Sequence, residues 1–339
     1  MPNQKCDRCS KEAKVFLAYG PHAFCKDHFT HFFEKRVRKT IRTNQLVKHG
    51  EKIAIGVSGG KDSMVTLHLL NRIFGKRNKI HAIMIDEGIS GYRDRAIKVA
   101  EKYCKENEIE YSIVKFEDEL KVDMEKVMEK IKKNEKLGST CGFCGVFRRK
   151  FLNQKAIEIK ADKIATGHNL DDETQSIAMS FFNNELEKMA RIGETNGVKK
   201  FKGFVPRIKP LYDTPEKEII AYCAFEEIEH YSNECCPYSW MAKRNQYRKA
   251  LNELEDVSPG TKYSILASFR ELKPLLVKRE LKKASKIKEC EKCGALSNGK
   301  ICNTCIQLEK LEKMIPQKTI SKSMKKTNKL SCIETKRQN

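Results

Sequence analysis

The stretch KIAIGVSGGKDSMVTLHLL, residues 52–70, decides the fold. Its first six residues form an apolar run that reads as a buried strand, and from Met64 the apolar positions recur at helical spacing. Between them, directly after Val57, stands Ser58-Gly59-Gly60-Lys61-Asp62-Ser63. The two glycines let backbone N–H groups turn toward a ligand, the Ser58 and Ser63 hydroxyls add donors, and the helix start adds positive potential. A polyphosphate fits such a junction. The order differs from the kinase-type loop G-x-x-x-x-G-K-[ST], because Lys61 follows the glycine pair and Asp62 precedes Ser63. A pyrophosphate cradle is therefore expected, rather than one for a terminal phosphate.

Outward from this stretch the same alternation continues. IHAIMID (80–86), EYSIVKF (110–116) and KIATGH (163–168) read as further strands. Helical patterns cover about 92–107 and 123–136, a Gly/Cys loop spans 138–145, and helices run on to about 160 and again from 171. Strands alternating with helices predict an α/β fold, a parallel sheet with helices on both faces. Open sheets of this kind bind ligands outside the carboxyl ends of their strands, which places the chemistry at 56–63, 85–91 and 166–172.

The block Thr166-Gly167-His168-Asn169-Leu170-Asp171-Asp172-Glu173-Thr174-Gln175 again follows a short strand and opens a helix. Paired carboxylates at a helix start often serve only as caps. Here they also face the phosphate loop. SGGKDS resembles the PP-loop of the ATP pyrophosphatases (the adenine nucleotide alpha hydrolase-like fold), which cleave ATP between its α and β phosphates and adenylate a substrate. GHNLDD is similar to the GHNxDD motif of their tRNA-thiolating branch. The resemblance implies that Val57, Ser58, Gly59, Gly60, Lys61, Asp62 and Ser63 grip the leaving pyrophosphate, with Lys61 offsetting its charge and Asp62 helping to hold Mg²⁺. It also implies that Gly167 and Asp171 lie against the nucleotide and that Asp172 is the catalytic or Mg²⁺-binding carboxylate. Met84 and Ile85 would wall the adenine.

Fourteen cysteines in a long chain point to metal or redox chemistry more than to a disulfide framework. Cys6-x₂-Cys9 with Cys25-x₂-His28, and Cys290-x₂-Cys293 with Cys302-x₂-Cys305, are closed sets of four soft ligands that suit structural Zn²⁺. Their flanks carry few apolar residues, so a metal is expected to staple them. The middle pair, Cys141 and Cys144, has no second knuckle, and Cys235-Cys236-Pro237-Tyr238 is the other source of a ligand. Spacing leaves three readings open: a [4Fe–4S] cluster with one open iron, a redox pair carrying a persulfide, and a structural zinc site. Cys104 and Cys223 lie in apolar helical patterns and read as packing residues, and Cys332 has no partner spacing.

The order of these parts over residues 6–305 resembles the NcsA/TtuA group of tRNA 2-thiouridine synthetases. VPRIKPLYDTPEKEI (205–219) is similar to that group's segment after the catalytic motif. The resemblance implies a [4Fe–4S] cluster on Cys141, Cys144 and Cys236, with Cys235 as the alternative third ligand. Arg148 stands where a lysine is common in the group; it keeps a charge over the ATP phosphates with a different geometry. A homodimer is also implied.

The formal net charge is +22, and from Arg270 onward the chain carries 19 Lys/Arg against 7 Asp/Glu. A polyanionic partner follows, and tRNA is the one the resemblance implies. No apolar run approaches the length that crosses a bilayer, and the first residues lack a secretory pattern, so no membrane partner and a cytoplasmic location are expected. The parts divide as an N-terminal zinc finger at 1–30, a basic linker helix at 31–49, and the PP-loop catalytic domain with its iron–sulfur site at 50–239. A helical tRNA-contacting region at 240–288, a zinc ribbon at 289–310 and a basic, disordered tail at 311–339 complete them.

The expected function is ATP-dependent tRNA 2-thiolation, in which the C2 oxygen of a uridine is adenylated and replaced by sulfur carried on the cluster. The cofactors are ATP, Mg²⁺, the cluster and two Zn²⁺; the sulfur donor is sulfide or a sulfur-carrier protein. Two alternatives remain beside it. A PP-loop amide-forming or lysidine-forming ligase has no need of Cys141 and Cys144, and a non-catalytic zinc-dependent RNA-binding protein would release no pyrophosphate.

Overall fold

Strand KIAIGV lies at the centre of a five-stranded parallel sheet in a computed structural model that describes residues 4–120, 124–134, 138–195, 203–232, 236–283, 288–294, 296–297 and 299–314. An antiparallel hairpin, β1 (Val15–Leu17) and β2 (His22–Phe24), comes first, and α1 (Lys26–Thr43) leads from it to β3 (Lys52–Val57). The sheet is completed by β4 (Lys79–Asp86), β5 (Glu110–Lys115), β6 (Lys163–Ala165) and β7 (Arg207–Ile208), in the order β5-β4-β3-β6-β7. Ile53 pairs with both Ile80 and Lys163, which fixes the register around the central strand.

The continuous apolar character of β3 follows from burial on both faces. Ile53, Ile55 and Val57 enter one core with α1, α2 (Lys61–Phe74), α3 (Arg93–Glu106) and α9 (Glu216–Phe225). Ala54 enters the other with α4 (Phe116–Leu120), α5 (Met124–Lys133) and α6 (Thr140–Glu158). The remaining helices are α7 (Leu170–Phe182), α8 (Leu186–Met189), α10 (Arg244–Val257), α11 (Thr261–Lys283) and α12 (Asn303–Met314), with a hairpin of β8 (Lys288–Glu289) and β9 (Leu296–Ser297) before the last. No helix among the described residues is long and apolar enough to cross a membrane.

Three elements differ from their sequence reading. The helix expected from residue 31 begins at Lys26, because Cys25 is its extended N-cap, and it stops at Thr43, where Gln45 turns into the left-handed region. It is no free linker: Phe29, Phe33, Val37 and Ile41 are buried, Phe33 stacks on Tyr222 of α9 with centroids 4.2 Å apart, and Arg36 pairs with Glu218 at 2.8 Å. Its exposed side carries Lys35, Arg38, Lys39 and Arg42.

The loop expected at 138–145 is helical from Thr140 onward. The Ser139 side chain accepts from the Gly142 N–H and caps α6, and Phe143, Phe147 and Phe151 form a buried stripe that outweighs the low helix propensity of Gly142 and Gly145. The first residues of the tail expected from 311 are helical. Helix α12 runs to Met314, and Leu308 and Leu311 enter the same core as α5 and α6. Residues 315–339, with Cys332, lie outside the described residues.

Leu311 is 0% exposed. Leu311→Ala is therefore expected to lower the unfolding free energy by about 2–5 kcal/mol, measured by denaturant titration. A loss below about 0.5 kcal/mol, the range of ordinary surface changes, would show that α12 is not seated on the core.

Candidate active site

The phosphate loop joins β3 to α2 at the carboxyl edge of the sheet. Gly59 has φ +83, and a Cβ there would lie 2.3 Å from the Ala96 carbonyl oxygen, so only glycine lets α3 pack this closely. The Ser63 hydroxyl donates to the Gly60 carbonyl at 2.9 Å and accepts from the Ser58 N–H at 3.0 Å, which closes the loop on itself. Lys61 Nζ donates to Glu216 Oε1 at 2.6 Å and lies 3.4 Å from Asp62. Burial works against its charged form, but Asp62 and Glu216 outweigh that and hold its ammonium above the ordinary value. Val57 is buried at the end of β3.

The second loop is pressed onto the first. A Cβ on Gly167 would lie 2.8 Å from the backbone of Asp62. Asn169 caps α7 by accepting from the Asp172 N–H at 2.9 Å, while its amide donates to Asp62 Oδ1 at 3.0 Å. Asp172 receives Arg244 Nη1 at 3.1 Å. Burial raises the Asp172 carboxyl despite Arg244, and the Asp62 charge raises it further. Asp62 is likewise raised by burial, against the pull of Lys61 and the Asn169 hydrogen bond. Two carboxylates in this relation suit a divalent cation.

Asp171, next to Asp172, turns the other way. It is buried, accepts from the Glu216 N–H at 2.7 Å through Oδ2, and pairs through Oδ1 with Lys262 of α11. Glu173 is buried with Lys209 at 2.8 Å. Met84 and Ile85 are core residues, one in each cluster, and the Ile85 carbonyl accepts from Arg93 Nε at 2.6 Å.

The turn that bears Cys141 and Cys144 lies beside the segment that follows Cys236. Cys141 and Cys144 lie on the first turns of α6, and Cys141 Sγ is 4.0 Å from the Tyr238 carbonyl oxygen, 97 residues away in sequence. Burial and then the Glu87 carboxylate push the Cys144 thiol up, with Cys236 and Cys141 adding to the shift. Burial also raises Cys236, with Cys141 contributing. Cys236 and Cys141 thus both act on the Cys144 thiol, and Cys141 acts on Cys236. Cys235 lies outside the described residues. Cys104 and Cys223 are buried, as their helical patterns imply.

Sequence reasoning missed Glu87, Arg93, Arg244 and Lys262. Arg148 Nε lies 3.1 Å from Glu87, which also pairs with Arg93 at 2.7 Å. Glu87 falls within the strand end at 85–91 already assigned to chemistry, so that position held a signal. Arg244 and Lys262 sit in basic helical runs that give none.

The two terminal sets have a different geometry. Their ligand atoms all lie within 4.8 Å of one another in Cys6, Cys9, Cys25 and His28, and again in Cys290, Cys293, Cys302 and Cys305. Thiolates about 2.3 Å from a common tetrahedral centre lie about 3.8 Å apart. The separations are 3.8 Å for Cys9–Cys25, 3.8 Å for Cys290–Cys305 and 3.7 Å for Cys293–Cys302. His28 presents Nδ1 at 3.4 Å from Cys6 and 3.3 Å from Cys25. These donors fit one zinc-sized ion in each set. The central thiols do not form such a set among the described residues.

A family model described as the PP-loop domain matches residues 29–255. The tRNA 2-thiolation protein NcsA of Haloferax volcanii is 38% identical over 323 residues, covering 91% of this chain and 99% of that protein. Cytoplasmic tRNA 2-thiolation protein 1 of Danio rerio is 34% identical, with 95% of this chain and 92% of that protein covered. Among solved structures, the U34-tRNA thiolase NcsA from Methanococcus maripaludis with its [4Fe-4S] cluster superposes with a TM-score of 0.77 at 35% identity, covering 92% of this chain and 97% of that one. By its loop, its paired carboxylates, its cysteine sets and these matches, the chain belongs to the PP-loop family and, within it, to the NcsA group of tRNA 2-thiolation enzymes.

Proposed function

We propose that this chain uses ATP to adenylate the C2 oxygen of a tRNA uridine and exchanges that oxygen for sulfur at the site of Cys141, Cys144 and Cys236. The observation that supports the reading is the 4.0 Å approach of Cys141 to the Tyr238 carbonyl, which sets the turn bearing Cys141 and Cys144 beside the segment that carries Cys236. An amide-forming or lysidine-forming enzyme has no use for such a trio.

In this reading the backbone of the phosphate loop and the Lys61 ammonium receive the charge that develops on the departing pyrophosphate. Asp62 and Asp172, each raised by burial, hold Mg²⁺, which relieves their mutual repulsion. Adenylation converts a poor oxygen leaving group into part of AMP. Cys141, Cys144 and Cys236 hold a [4Fe–4S] cluster, which when bound supplies the thiophilic iron that sulfur delivery requires. Sulfide or a sulfur-carrier protein is the donor. The terminal sets hold one structural zinc each.

The uridine must leave its base stack to react. The exposed Lys35, Arg38, Lys39 and Arg42 of α1, with the basic C-terminal fifth of the chain, grip tRNA phosphates.

Cys141→Ala should abolish thiolation of tRNA while equilibrium binding of ATP stays within about two-fold, because Cys141 lies outside the phosphate loop; full thiolation in this variant would overturn the cluster reading. Asp172→Asn is expected to slow tRNA-dependent pyrophosphate release by about a hundred-fold or more, the scale of losing one preorganised electrostatic group. Near-normal release would remove Asp172 from the chemistry. Metal analysis of anaerobically purified protein should give two zinc ions per chain, falling to one in Cys302→Ser; an unchanged count in that variant would refute the C-terminal zinc site.

A further inference from the structure

Glu87 belongs to neither the phosphate loop nor the cysteine set, and the reaction described above gives it no part. It is 4% exposed just beyond β4, and its two oxygens face arginines from two different elements. Oε2 lies 2.7 Å from Arg93 Nε and Oε1 lies 3.1 Å from Arg148 Nε. Arg93 is itself buried, and two of its donors go to backbone: Nε to the Ile85 carbonyl at 2.6 Å and Nη1 to the Ser58 carbonyl at 2.7 Å. Arg93 is thereby fixed to the end of β4 and to the first residue of the phosphate loop. Arg148 is different: its side chain is 48% exposed, it lies one turn beyond Cys144 on α6, and among the described residues Glu87 is its ion-pair partner.

A further detail sets Glu87 apart from ordinary scaffolding. Oε2 is buried without a hydrogen bond of its own, since the nearby Arg93 N–H is directed to the Ile85 carbonyl. Its charge is met by the Arg93 guanidinium at 2.7 Å rather than by a hydrogen bond, and an apolar side chain there would leave the buried guanidinium without it. One carboxylate between two guanidinium groups also leaves a surplus positive charge near Cys144, which favours an anionic group there.

We propose that Glu87 is a positioning residue: it holds Arg148 one turn from Cys144, and through Arg93 it ties Arg148 to the phosphate-loop backbone. The inference rests on the sulfurtransferase reading and deepens it. An arginine released from such a partner regains several side-chain torsions, and an electrostatic group displaced by about 1 Å can cost about a hundred-fold in rate.

The test is a double-mutant cycle on the full-length holoenzyme. Glu87→Gln should lower kcat for tRNA thiolation between about ten- and a hundred-fold, while KM for ATP and equilibrium binding of a non-hydrolysable ATP analogue change by less than about three-fold. Because Glu87 acts through Arg148, Glu87→Gln with Arg148→Gln should be no slower than Arg148→Gln alone. Multiplying effects, or wild-type kcat in Glu87→Gln, would overturn the proposal. If Glu87→Gln does not fold, Glu87→Asp takes its place, since it keeps the charge but withdraws it from Arg148 by one methylene. An independent readout is modification of Arg148 by phenylglyoxal, followed by peptide mass spectrometry. It should proceed several-fold faster in the Glu87 variant, and an equal rate refutes the positioning role. Absence of tRNA thiolation by the wild-type holoenzyme would refute the sulfurtransferase reading instead, and the phenylglyoxal comparison would still decide whether Glu87 holds Arg148.

Discussion

Two loops at the carboxyl edge of the sheet approach so closely that only glycine fits at their contact. At Gly167 a side chain would collide with the backbone of Asp62 and Ser63, and at Gly59 one would collide with Ala96 of α3. The contact sets the relation between the starts of α2 and α7. Asn169 then serves both sides, capping α7 while its amide holds Asp62. A nucleotide site therefore exists only when β3, β6, α2, α3 and α7 are all in place, and this makes the site a property of the whole sheet.

Buried ion pairs extend that constraint outward. Asp171 caps α9 through the Glu216 N–H and pairs with Lys262 of α11, so two helices far apart in sequence are fixed to the start of α7. Glu173 with Lys209 does the same for the segment after β7, and Glu218 with Arg36 for α1. Such pairs add little net stability, because desolvation offsets most of the Coulomb attraction, but breaking one partner leaves an unpaired buried charge. Their effect here is to specify one packing of helices around the catalytic edge. The neighbouring carboxylates Asp171 and Asp172 thus divide their roles by direction: one is enclosed in the scaffold, while the other meets the half-exposed Arg244.

What was legible in the sequence was local. The strand, loop and helix of residues 52–70 follow from composition over a short span, and each terminal metal set is a pair of short spacings whose donors the hairpins bring together. The partners that complete the site were not legible, because Arg93 reaches Ser58 across 35 residues and Arg244 reaches Asp172 across 72. Nothing in a run of basic residues marks which one meets a buried carboxylate. The helical state of Cys141 and Cys144 was hidden for a different reason: two glycines masked a helix whose stability comes from the Ser139 cap and from phenylalanines packed into the core.

The three cysteine sites share the C-x₂-C spacing, yet they are built for different tasks. In the terminal sets a second knuckle closes the donor shell at separations near 3.8 Å, a spacing that fits a single ion and leaves no position for a reactant. At the centre, one knuckle on a helix lies beside the distant segment that bears Cys236, the thiols stay partly open to solvent, and they form no closed set of donors among the described residues. The C-terminal set is connected to this open site mechanically. Cys305 lies on α12, whose Leu308 and Leu311 pack into the core formed with α6, and α6 carries Cys141 and Cys144 on its first turns. The closed metal set therefore braces the helix that presents the open one, which is a physical reason for the two kinds of cysteine site to occur in one chain.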